Sequence, residues 1–349
     1  MTYPIKGKDQ VLLNFERGTT SWPLDSYLTR AGYETAKEVL TGGKYATPAD
    51  LVTTVKDSGL RGRGGAGFPT GLKWSFLPKE PQGPIQLVVN ADESEPGTFK
   101  DRVIMEENPH QLIEGCVLSC WAIKSNSCYI YIRGEYVPAI KRMTAAVEEA
   151  YAAGHLGEDI YGSGFTCHVT VHSGAGAYIC GEETGLIESL EGKKGQPRIK
   201  PPFPAVYGVF GYPTIVNNVE SIAAVTYIAA AGADAYRQWG TEKSAGTKLF
   251  SVSGPVKRPG VYEVAMGYPF KSLLENECGG MLDGVALKAL IVGGSSVPVV
   301  NAETALKINM DYESCAENDT LLGSGGVIVI GEGTCMVRAL MTLLRFYHH

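Results

Sequence analysis

Residues 59–74 read Gly59-Leu-Arg-Gly-Arg-Gly-Gly-Ala-Gly-Phe-Pro-Thr-Gly-Leu-Lys-Trp74, with five glycines in the first nine positions. Glycine has no Cβ atom, so such a run adopts positive φ angles and lets backbone N–H groups approach a ligand closely. The part from Gly62 to Gly67 follows the pattern Gly-x-Gly-x-x-Gly. It predicts a cradle for a phosphate or a dinucleotide, with Lys73 as a point charge for the anion.

The element before this glycine loop is predicted to be a helix. Thr47-Pro48-Ala49-Asp50 supplies an N-cap, a proline at the first helical position and an acid in the first turn, so we expect a helix from 48 to about 58, ended by Gly59. In the usual dinucleotide fingerprint the glycine loop follows a strand. This order therefore departs from a standard Rossmann first turn.

Acidic and amide side chains follow a predicted buried strand at residues 85–90, where the chain reads Asn90-Ala-Asp92-Glu93-Ser-Glu95. Ligands of open α/β sheets bind just beyond the C-terminal ends of the strands, so these side chains are predicted to face a ribose, an amide or a flavin edge. Asp92 follows Gly67 by 25 residues, near the spacing expected for a ribose-binding acid. The alternative is a solvated acidic loop.

Alternating strands and helices follow, which predicts an α/β fold. We expect an amphipathic helix at 110–122, a strand at 129–133, a helix at 137–152 and a strand at 165–172. A second glycine-rich loop then contains Tyr178, Gly181, Glu182 and Glu183, and it leads into a helix that ends at Leu190. His168 and His172 are interpreted as structural histidines of the preceding strand.

Two further segments carry candidate ligand-binding residues. The loop at 191–204 is basic and stiffened by prolines; it is either a surface linker or a lid that presents Lys200 to a phosphate and Phe203 to an aromatic ring. Asn217 and Asn218 precede a helix predicted from about 221 to 231, and they place polar groups at its N-terminus or merely cap it.

The last hundred residues change character. A predicted hairpin at 248–253 and 260–264, a helix at 270–277 and a strand at 287–292 indicate a small α+β domain. A strand at 327–330 and a helix with apolar spacing at 334–346 complete it. Because no glycine or proline terminates that helix, we expect it to be the start of a truncated larger element.

Composition excludes several classes of function. The 349 residues are 44% hydrophobic and carry a net charge of −6, which argues against nucleic-acid binding. The longest apolar run, 222–231, falls short of the ~20 residues that a membrane span requires, and the N-terminus is not a signal peptide. We expect a cytoplasmic protein, or an organellar one after processing. The eight cysteines lack a Cys-x-x-Cys pair and predict buried free thiols, with no metal site.

Taken together, the two glycine loops, the acidic strand end and the proline loop resemble the NADH-binding flavoprotein subunit of respiratory complex I (NADH:quinone oxidoreductase). Diaphorase subunits of NAD-reducing hydrogenases and NAD-dependent formate dehydrogenases are similar. The matching stretches are residues 59–78, 88–102, 174–191, 200–205 and 213–221. The resemblance implies a Rossmann-like FMN- and NADH-binding domain (46–240) after an N-terminal extension (1–45). A β-grasp, ubiquitin-like domain (246–331) and the first helix of a truncated iron–sulfur domain (332–349) would follow.

The resemblance also implies the site. FMN would be held by Gly62, Gly64, Gly65, Gly67, Lys73, Asn90, Asp92, Glu93, Glu95, Tyr178, Gly181, Glu182, Glu183, Asn217 and Asn218. NADH would be held by Phe68, Phe76, Glu95, Glu183, Lys200 and Phe203. Aromatic faces suit a purine, and carboxylates suit ribose hydroxyls but repel a 2′-phosphate, so NADH is expected rather than NADPH. No side chain is expected to act as a catalytic acid or base, because hydride would pass directly from NADH to the stacked FMN. Glu95 and Glu183 are expected to position the nicotinamide.

The implied function is a diaphorase module: hydride passes from NADH to FMN, and single electrons pass to iron–sulfur clusters of a larger complex that feeds quinone. The implied partners are a thioredoxin-like [2Fe–2S] subunit and a larger iron–sulfur subunit, without nucleic acid and without direct membrane insertion. The chain would then lie in the peripheral arm of a membrane complex, in the cytoplasm or an organellar matrix. The family's [4Fe–4S] cysteine motif is absent, and we expect the chain to end before it.

Three alternatives remain open at this stage. The chain is a diaphorase subunit of a hydrogenase or a formate dehydrogenase, a catalytically impaired nucleotide-binding or assembly module, or a dehydrogenase that passes hydride directly to a small substrate. The last of these requires a general base near the nicotinamide.

Overall fold

The computed structural model describes residues 10–15 and 20–348. Its first sheet has four parallel strands in the order β3-β2-β1-β4, which is the order of one half of a Rossmann-type sheet together with the next strand. The strands are β1 Ile85–Ala91, β2 Ser125–Ile132, β3 His168–Ser173 and β4 Thr214–Asn218. The α/β prediction for this part of the chain is confirmed. The start of the predicted N-terminal extension, at residues 1–9 and 16–19, lies outside the described residues.

Helices cover both faces of this sheet. Those of the first half are α1 Leu24–Leu28, α2 Glu34–Leu40, α3 Pro48–Asp57, α4 Thr70–Trp74, α5 Asp101–Glu107, α6 Pro109–Ile123, α7 Val137–Ala152, α8 Glu183–Leu190, α9 Val219–Ala231 and α10 Ala233–Arg237. Side chains of β1 alternate between two cores, as a strand buried on both faces requires. Leu87 and Val89 point into the large core with α6 and α9, and Val88 into a smaller core with Leu186 and Ile187 of α8.

The predicted character of α6 is wrong, although its bounds are close to the prediction. The helix is buried around nearly its whole circumference and is not amphipathic. It packs on β1 and β2 between α7 and α9, which contact the same sheet, and α3 packs against it as well. Its polar residues suggest a solvent-facing side in the sequence, but they have partners inside the protein. Glu114, for example, accepts hydrogen bonds from the Tyr27 hydroxyl and from the Ala36 N–H.

A second sheet follows, with strand order β6-β5-β11-β8-β9 and a separate pair formed by β7 and β10. Its strands are β5 Thr247–Ser253, β6 Gly260–Ala265, β7 Tyr268–Pro269, β8 Leu287–Ile291, β9 Val300–Asn301, β10 Asn309–Met310 and β11 Gly326–Gly331. The antiparallel β5–β6 pair confirms the predicted hairpin, and β5 pairs in parallel with β11. The helices of this part are α11 Phe270–Ser272, which continues as a π-helical turn Leu273–Glu277, α12 Ala302–Ala305, α13 Tyr312–Glu317 and α14 Met336–His348.

Solvent exposure changes near residue 335, where the last helix begins. Seven of the eight cysteines are buried free thiols, as predicted, whereas Cys335 is exposed. None of the side chains described in α14 is buried. Among the described residues, no helix combines the length and the apolar character needed to cross a bilayer.

Candidate functional site

A cavity of about 750 Å³ lies beyond the C-terminal ends of β1 and β4, between the first sheet and the second. Its volume is in the range of pockets that hold a cofactor or a small ligand. The first part of the chain contributes Arg61, Gly64, Gly65, Ala66, Asn90, Asp92, Glu93, Ser94, Glu95, Thr98, Lys100, Asp101, Tyr178, Ile179, Gly181, Glu182 and Asn218. The second part contributes Gly293, Ser296, Val297, Tyr312, Ala316, Leu321, Leu322, Gly323 and Ser324.

The glycine loop divides its residues between this cavity and the neighbouring sheet. Gly64 and Gly65 line the cavity, and a Cβ atom at Gly64 would lie 3.1 Å from Asn218 Cβ. Gly62 and Gly67 are not among the lining residues. Gly62 closes the loop by donating its N–H to the carbonyl of Phe68 at 2.8 Å. Gly67 has φ +66°, and a Cβ atom there would lie 2.6 Å from the Tyr312 ring.

Tyr312 anchors the back of the glycine loop to the second sheet's domain. Its hydroxyl donates to the Gly62 carbonyl at 2.8 Å, and the Arg61 guanidinium lies over its ring at 3.8 Å from the centroid. Arg61 also pairs with Glu313 at 2.7 Å. The loop is therefore held from behind while Gly64 and Gly65 face the cavity.

The acidic strand end lies in the cavity wall. Asn90, Asp92, Glu93 and Glu95 all line it, so the structure brings the predicted cluster together. Asp92 is 1% exposed, which makes the solvated-loop alternative wrong for this residue. Its Oδ2 accepts a hydrogen bond from Ser94, and its buried Oδ1 has no hydrogen-bond partner among the described residues. Burial raises the pKa of Asp92 to about 6.

Glu93 combines a capping role with a shifted protonation equilibrium. Its carboxylate accepts the backbone N–H groups of Lys100, Asp101 and Arg102 at 2.7–3.1 Å, at the start of α5. Burial and the nearby Asp101 carboxylate nevertheless raise the pKa of Glu93 to about 8, while Lys100 and the N–H donors act in the opposite direction. Two carboxyl groups of this wall thus titrate close to neutral pH.

The second glycine loop is hydrogen-bonded directly to the acidic cluster. The Tyr178 hydroxyl donates to Glu95 Oε2 at 2.5 Å, and the Asn90 amide donates to the Gly181 carbonyl at 2.8 Å. Glu95 Oε1 also accepts the backbone N–H of Ser296 at 2.6 Å. Glu95 therefore joins the loop before α8 to the loop after β8.

Glu183 lies between two lysines at one side of this loop. Its carboxylate is 2.7 Å from Lys73 Nζ and 2.8 Å from Lys200 Nζ, and Lys200 also pairs with Glu182 at 2.9 Å. Although burial opposes the change, the two lysines lower the pKa of Glu183. Lys73, Glu183 and Lys200 are not among the residues that line the cavity.

The predicted aromatic residues are exposed. Phe68 and Phe76 lie together, with ring centroids 5.9 Å apart, and Phe203 is also solvent-exposed. Exposed aromatic rings next to a loop offer stacking faces for a planar ligand.

The two asparagines at the end of β4 differ in role. Asn217 is buried and accepts a hydrogen bond from the Trp74 indole at 2.8 Å. Asn218 caps α9 by accepting the Glu220 N–H, and its amide donates to Asp101 Oδ2 at 2.6 Å. Only Asn218 of the pair is among the lining residues. The helix begins at Val219, two residues earlier than predicted.

A group of four buried charged residues was not predicted from the sequence; Lys100 and Asp101 line the cavity, and Glu220 and Lys248 lie behind them. Lys100 pairs with Asp101 and with Glu220, each at 2.7 Å, and Lys248 of β5 lies 3.6 Å from Glu220. All four side chains are at most 3% exposed. The available signal in the sequence was Lys248, a lysine within the apolar pattern of β5. The contribution of the second domain to the cavity was missed as well.

Comparisons with known proteins agree with this architecture. Residues 55–227 match the Nuo51 FMN-binding domain, and residues 248–330 match the SLBB domain. The chain is 52% identical over 326 residues to the second F subunit of the Rhizobium meliloti NADH-quinone oxidoreductase, covering 93% of this chain and 76% of the relative. It is 51% identical over 346 residues to the F subunit of the Streptomyces coelicolor NADH-quinone oxidoreductase, covering 99% and 76%.

A solved structure shows the same fold. The NAD⁺-reducing [NiFe]-hydrogenase in the air-oxidised state matches with a TM-score of 0.75 and 37% identity, covering 89% of this chain. This chain spans about half (51%) of the length of that hydrogenase chain. With three quarters of each F-subunit relative covered at about 50% identity, the chain belongs to the NADH-quinone oxidoreductase F-subunit family.

Proposed function

We propose that this chain is the NADH-oxidising module of a larger electron-transfer complex, with FMN bound in the cavity between its two domains. The proposal rests on one part of the cavity wall, to which Gly64, Gly65, Asn218 and Asp92 contribute. Gly64 approaches Asn218 there, and Gly65 approaches Gly323 and Ser324. Asp92 lines the same cavity, and its buried Oδ1 has no hydrogen-bond partner among the described residues. A bare backbone suits a phosphate or a ribityl chain, and an unpaired acceptor suits a hydroxyl or ring N–H donor.

The remaining predicted residues have roles that follow from their positions. FMN, when bound, accepts hydride and releases electrons one at a time. Asn90, Glu93, Glu95, Tyr178 and Glu182 surround the space in which it would be oriented. Because orientation of the two rings is the main requirement for hydride transfer, no general acid or base of this chain is needed.

NADH is proposed to enter from the side of the exposed aromatic rings. Phe68, Phe76 and Phe203 offer faces for adenine. Glu183 is proposed to bind ribose hydroxyls and to disfavour the 2′-phosphate of NADPH, with Lys73 and Lys200 holding its carboxylate in place. The lysines also supply positive charge close to a pyrophosphate.

The electron acceptor distinguishes two versions of the proposal. The relatives from NADH-quinone oxidoreductases favour a complex that feeds quinone through a thioredoxin-like [2Fe–2S] subunit and a larger iron–sulfur subunit, at the cytoplasmic or matrix side of a membrane. The hydrogenase match favours a diaphorase subunit with a different catalytic partner. Both versions require the same reaction between NADH and FMN in this chain.

A visible absorption spectrum of the purified chain, supplied with FMN and freed of excess, tests this reaction. We expect a flavin band that is bleached by anaerobic NADH, together with NADH-dependent reduction of ferricyanide. Boiled protein with the same FMN is the control. A chain that stays colourless, or a flavin band that NADH leaves unchanged, would overturn the catalytic proposal and favour an assembly role.

A further inference from the structure

We propose that Lys248 is a positioning residue that fixes two opposite walls of the cavity, which deepens the proposed function and rests on it. Lys248 lies on β5 and its side chain is 0% exposed. Its Nζ donates to the carbonyl oxygen of Arg63 at 3.2 Å and to that of Ser324 at 3.0 Å. One amine therefore joins a residue of the glycine loop to a residue of the loop before β11.

Both acceptors sit next to the cavity surface. Arg63 immediately precedes Gly64 and Gly65, and Ser324 is itself a lining residue together with Gly323. A Cβ atom at Gly65 would lie 3.9 Å from Gly323 C, so the two loops are neighbours above the lysine. A shift of either loop would change the width of the space in which a cofactor phosphate or ribityl chain is proposed to lie.

The surrounding charges keep the amine in this place. Glu220 Oε2 pairs with Lys100 at 2.7 Å and lies 3.6 Å from Lys248 Nζ, and Glu220 Oε1 accepts the N–H of Leu249 at 2.8 Å. Removing one partner from such a buried group leaves polar atoms unsatisfied. The chain of contacts continues from Lys100 through Asp101 to Asn218, so it reaches the cavity wall at several points.

The positioning role does not depend on the protonation state of the lysine. Burial lowers the pKa of Lys248 to about 7, with Lys100 and Arg63 acting in the same direction and Glu220 and Asp101 opposing. A neutral amine still has two N–H groups, which is the number that the two carbonyl acceptors require. The geometry is thus maintained on both sides of neutral pH.

The test compares Lys248→Met and Lys248→Gln with Glu263→Gln in the full chain. Glu263 is a matched control, because it is a buried charged residue of the neighbouring strand β6 and is not among the residues that line the cavity. Its carboxylate accepts the backbone N–H groups of residues 11–13 and the hydroxyl of Thr247. Hydrogen exchange of the cofactor-free proteins is measured first, and the dissociation constant of FMN second.

In Lys248→Met we expect about tenfold faster exchange at four hydrogen-bonded amides of the two loops, those of Gly62, Arg63, Ser324 and Gly325. The amides of β1 and β2 should be unchanged, and FMN should bind about tenfold more weakly. Lys248→Gln keeps a donor nitrogen on a shorter side chain. Its exchange rates and its FMN affinity should lie between those of wild type and those of Lys248→Met. Glu263→Gln should accelerate exchange at residues 11–13 and next to Thr247, leave the four loop amides at their wild-type rates and leave FMN affinity unchanged.

Wild-type exchange at the four loop amides in Lys248→Met would overturn the inference, as would an acceleration that is uniform along the chain and equal in Glu263→Gln. If the wild-type chain does not bind FMN at all, the proposed function fails, whereas the exchange rates still decide the role of Lys248.

Discussion

Two neighbouring carboxyl groups after β1, those of Asp92 and Glu93, show how burial raises side-chain pKa values in this site. Asp92 and Glu93 are neighbours in sequence, yet their carboxylates differ. One oxygen of Asp92 has no hydrogen-bond partner in the part of the chain that the structure describes, whereas Glu93 accepts three backbone N–H groups. The pKa of each is raised, to about 6 and about 8 respectively. A site with partly protonated carboxyl groups can donate as well as accept hydrogen bonds near neutral pH.

Glu93 should make stability depend on pH. Its folded-state pKa of about 8 exceeds the ordinary value of 4.5, so the proton that it binds stabilises the folded state. This contribution is complete below the ordinary pKa and is lost as pH rises through the folded pKa. We expect the free energy of unfolding, measured by urea titration, to fall more steeply between about pH 5 and 8 in wild type than in Glu93→Gln. Parallel profiles for the two proteins would contradict the assignment.

Single residues also show what the sequence could and could not predict. Asn90, Asp92, Glu93 and Glu95 were predicted as site residues because they follow a strand end, and all four line the cavity. Lys248 was not predicted, because a lysine in a short strand looks like a solvent-facing residue. Its acceptors, Arg63 and Ser324, are distant in the chain and become its neighbours only through folding.

At the scale of elements, the glycine loop combines a ligand-facing surface with a packed rear surface. Gly67→Ala should damage the rear surface, since the new Cβ atom would meet the Tyr312 ring at 2.6 Å in a backbone conformation with φ +66°. We expect a loss of stability of about 2 kcal/mol or more and weaker FMN binding, measured by urea unfolding and by flavin titration.

Gly154→Ala is the matched control for this prediction. Gly154 has φ +75°, but nothing lies within 4 Å of the position that its Cβ atom would take. This variant should lose about 1 kcal/mol of stability, because alanine disfavours a positive φ, and should retain wild-type FMN affinity. Equal effects of the two substitutions would show that contact with Tyr312 is unimportant.

Element bounds were predicted better than element surroundings. The predicted helix at 137–152 has the observed bounds of α7, and the hairpin was found close to its predicted position. The strand β2 begins four residues before the predicted start, and β4 was not predicted. The burial of α6 was not foreseen, because its polar residues are satisfied by segments that precede the first sheet. Periodicity reports how polar residues are spaced and carries no information about partners supplied from elsewhere in the chain.

At the scale of the whole molecule, the cavity belongs to two domains. The sequence assigned the site to the Rossmann-like part, and no local pattern could indicate that Tyr312, Gly323 and Ser324 complete it. Such contacts join residues more than two hundred positions apart, as Tyr312 and Gly62 show. The relative placement of the two sheets is set by packing and buried polar contacts rather than by any single motif.

Helix α14 predicts the behaviour of the chain in solution. Val337, Leu340, Met341 and Leu344 are all more than half exposed, and an apolar surface of this kind favours association. We expect concentration-dependent self-association in sedimentation velocity, reduced by the double substitution Leu340→Gln and Leu344→Gln. Arg338→Gln, on the same helix, should leave it unchanged. A monodisperse wild-type monomer would refute the prediction.

The contrast between buried and exposed cysteines provides a measure of how much of a preparation is folded. Seven thiols are enclosed and Cys335, immediately before α14, is open to solvent. A maleimide dye added to the native protein should therefore attach with a stoichiometry of one, and denaturation should raise the number toward eight. Counting labelled thiols thus measures what fraction of a preparation is folded, while the single dye at Cys335 reports from the base of the exposed helix.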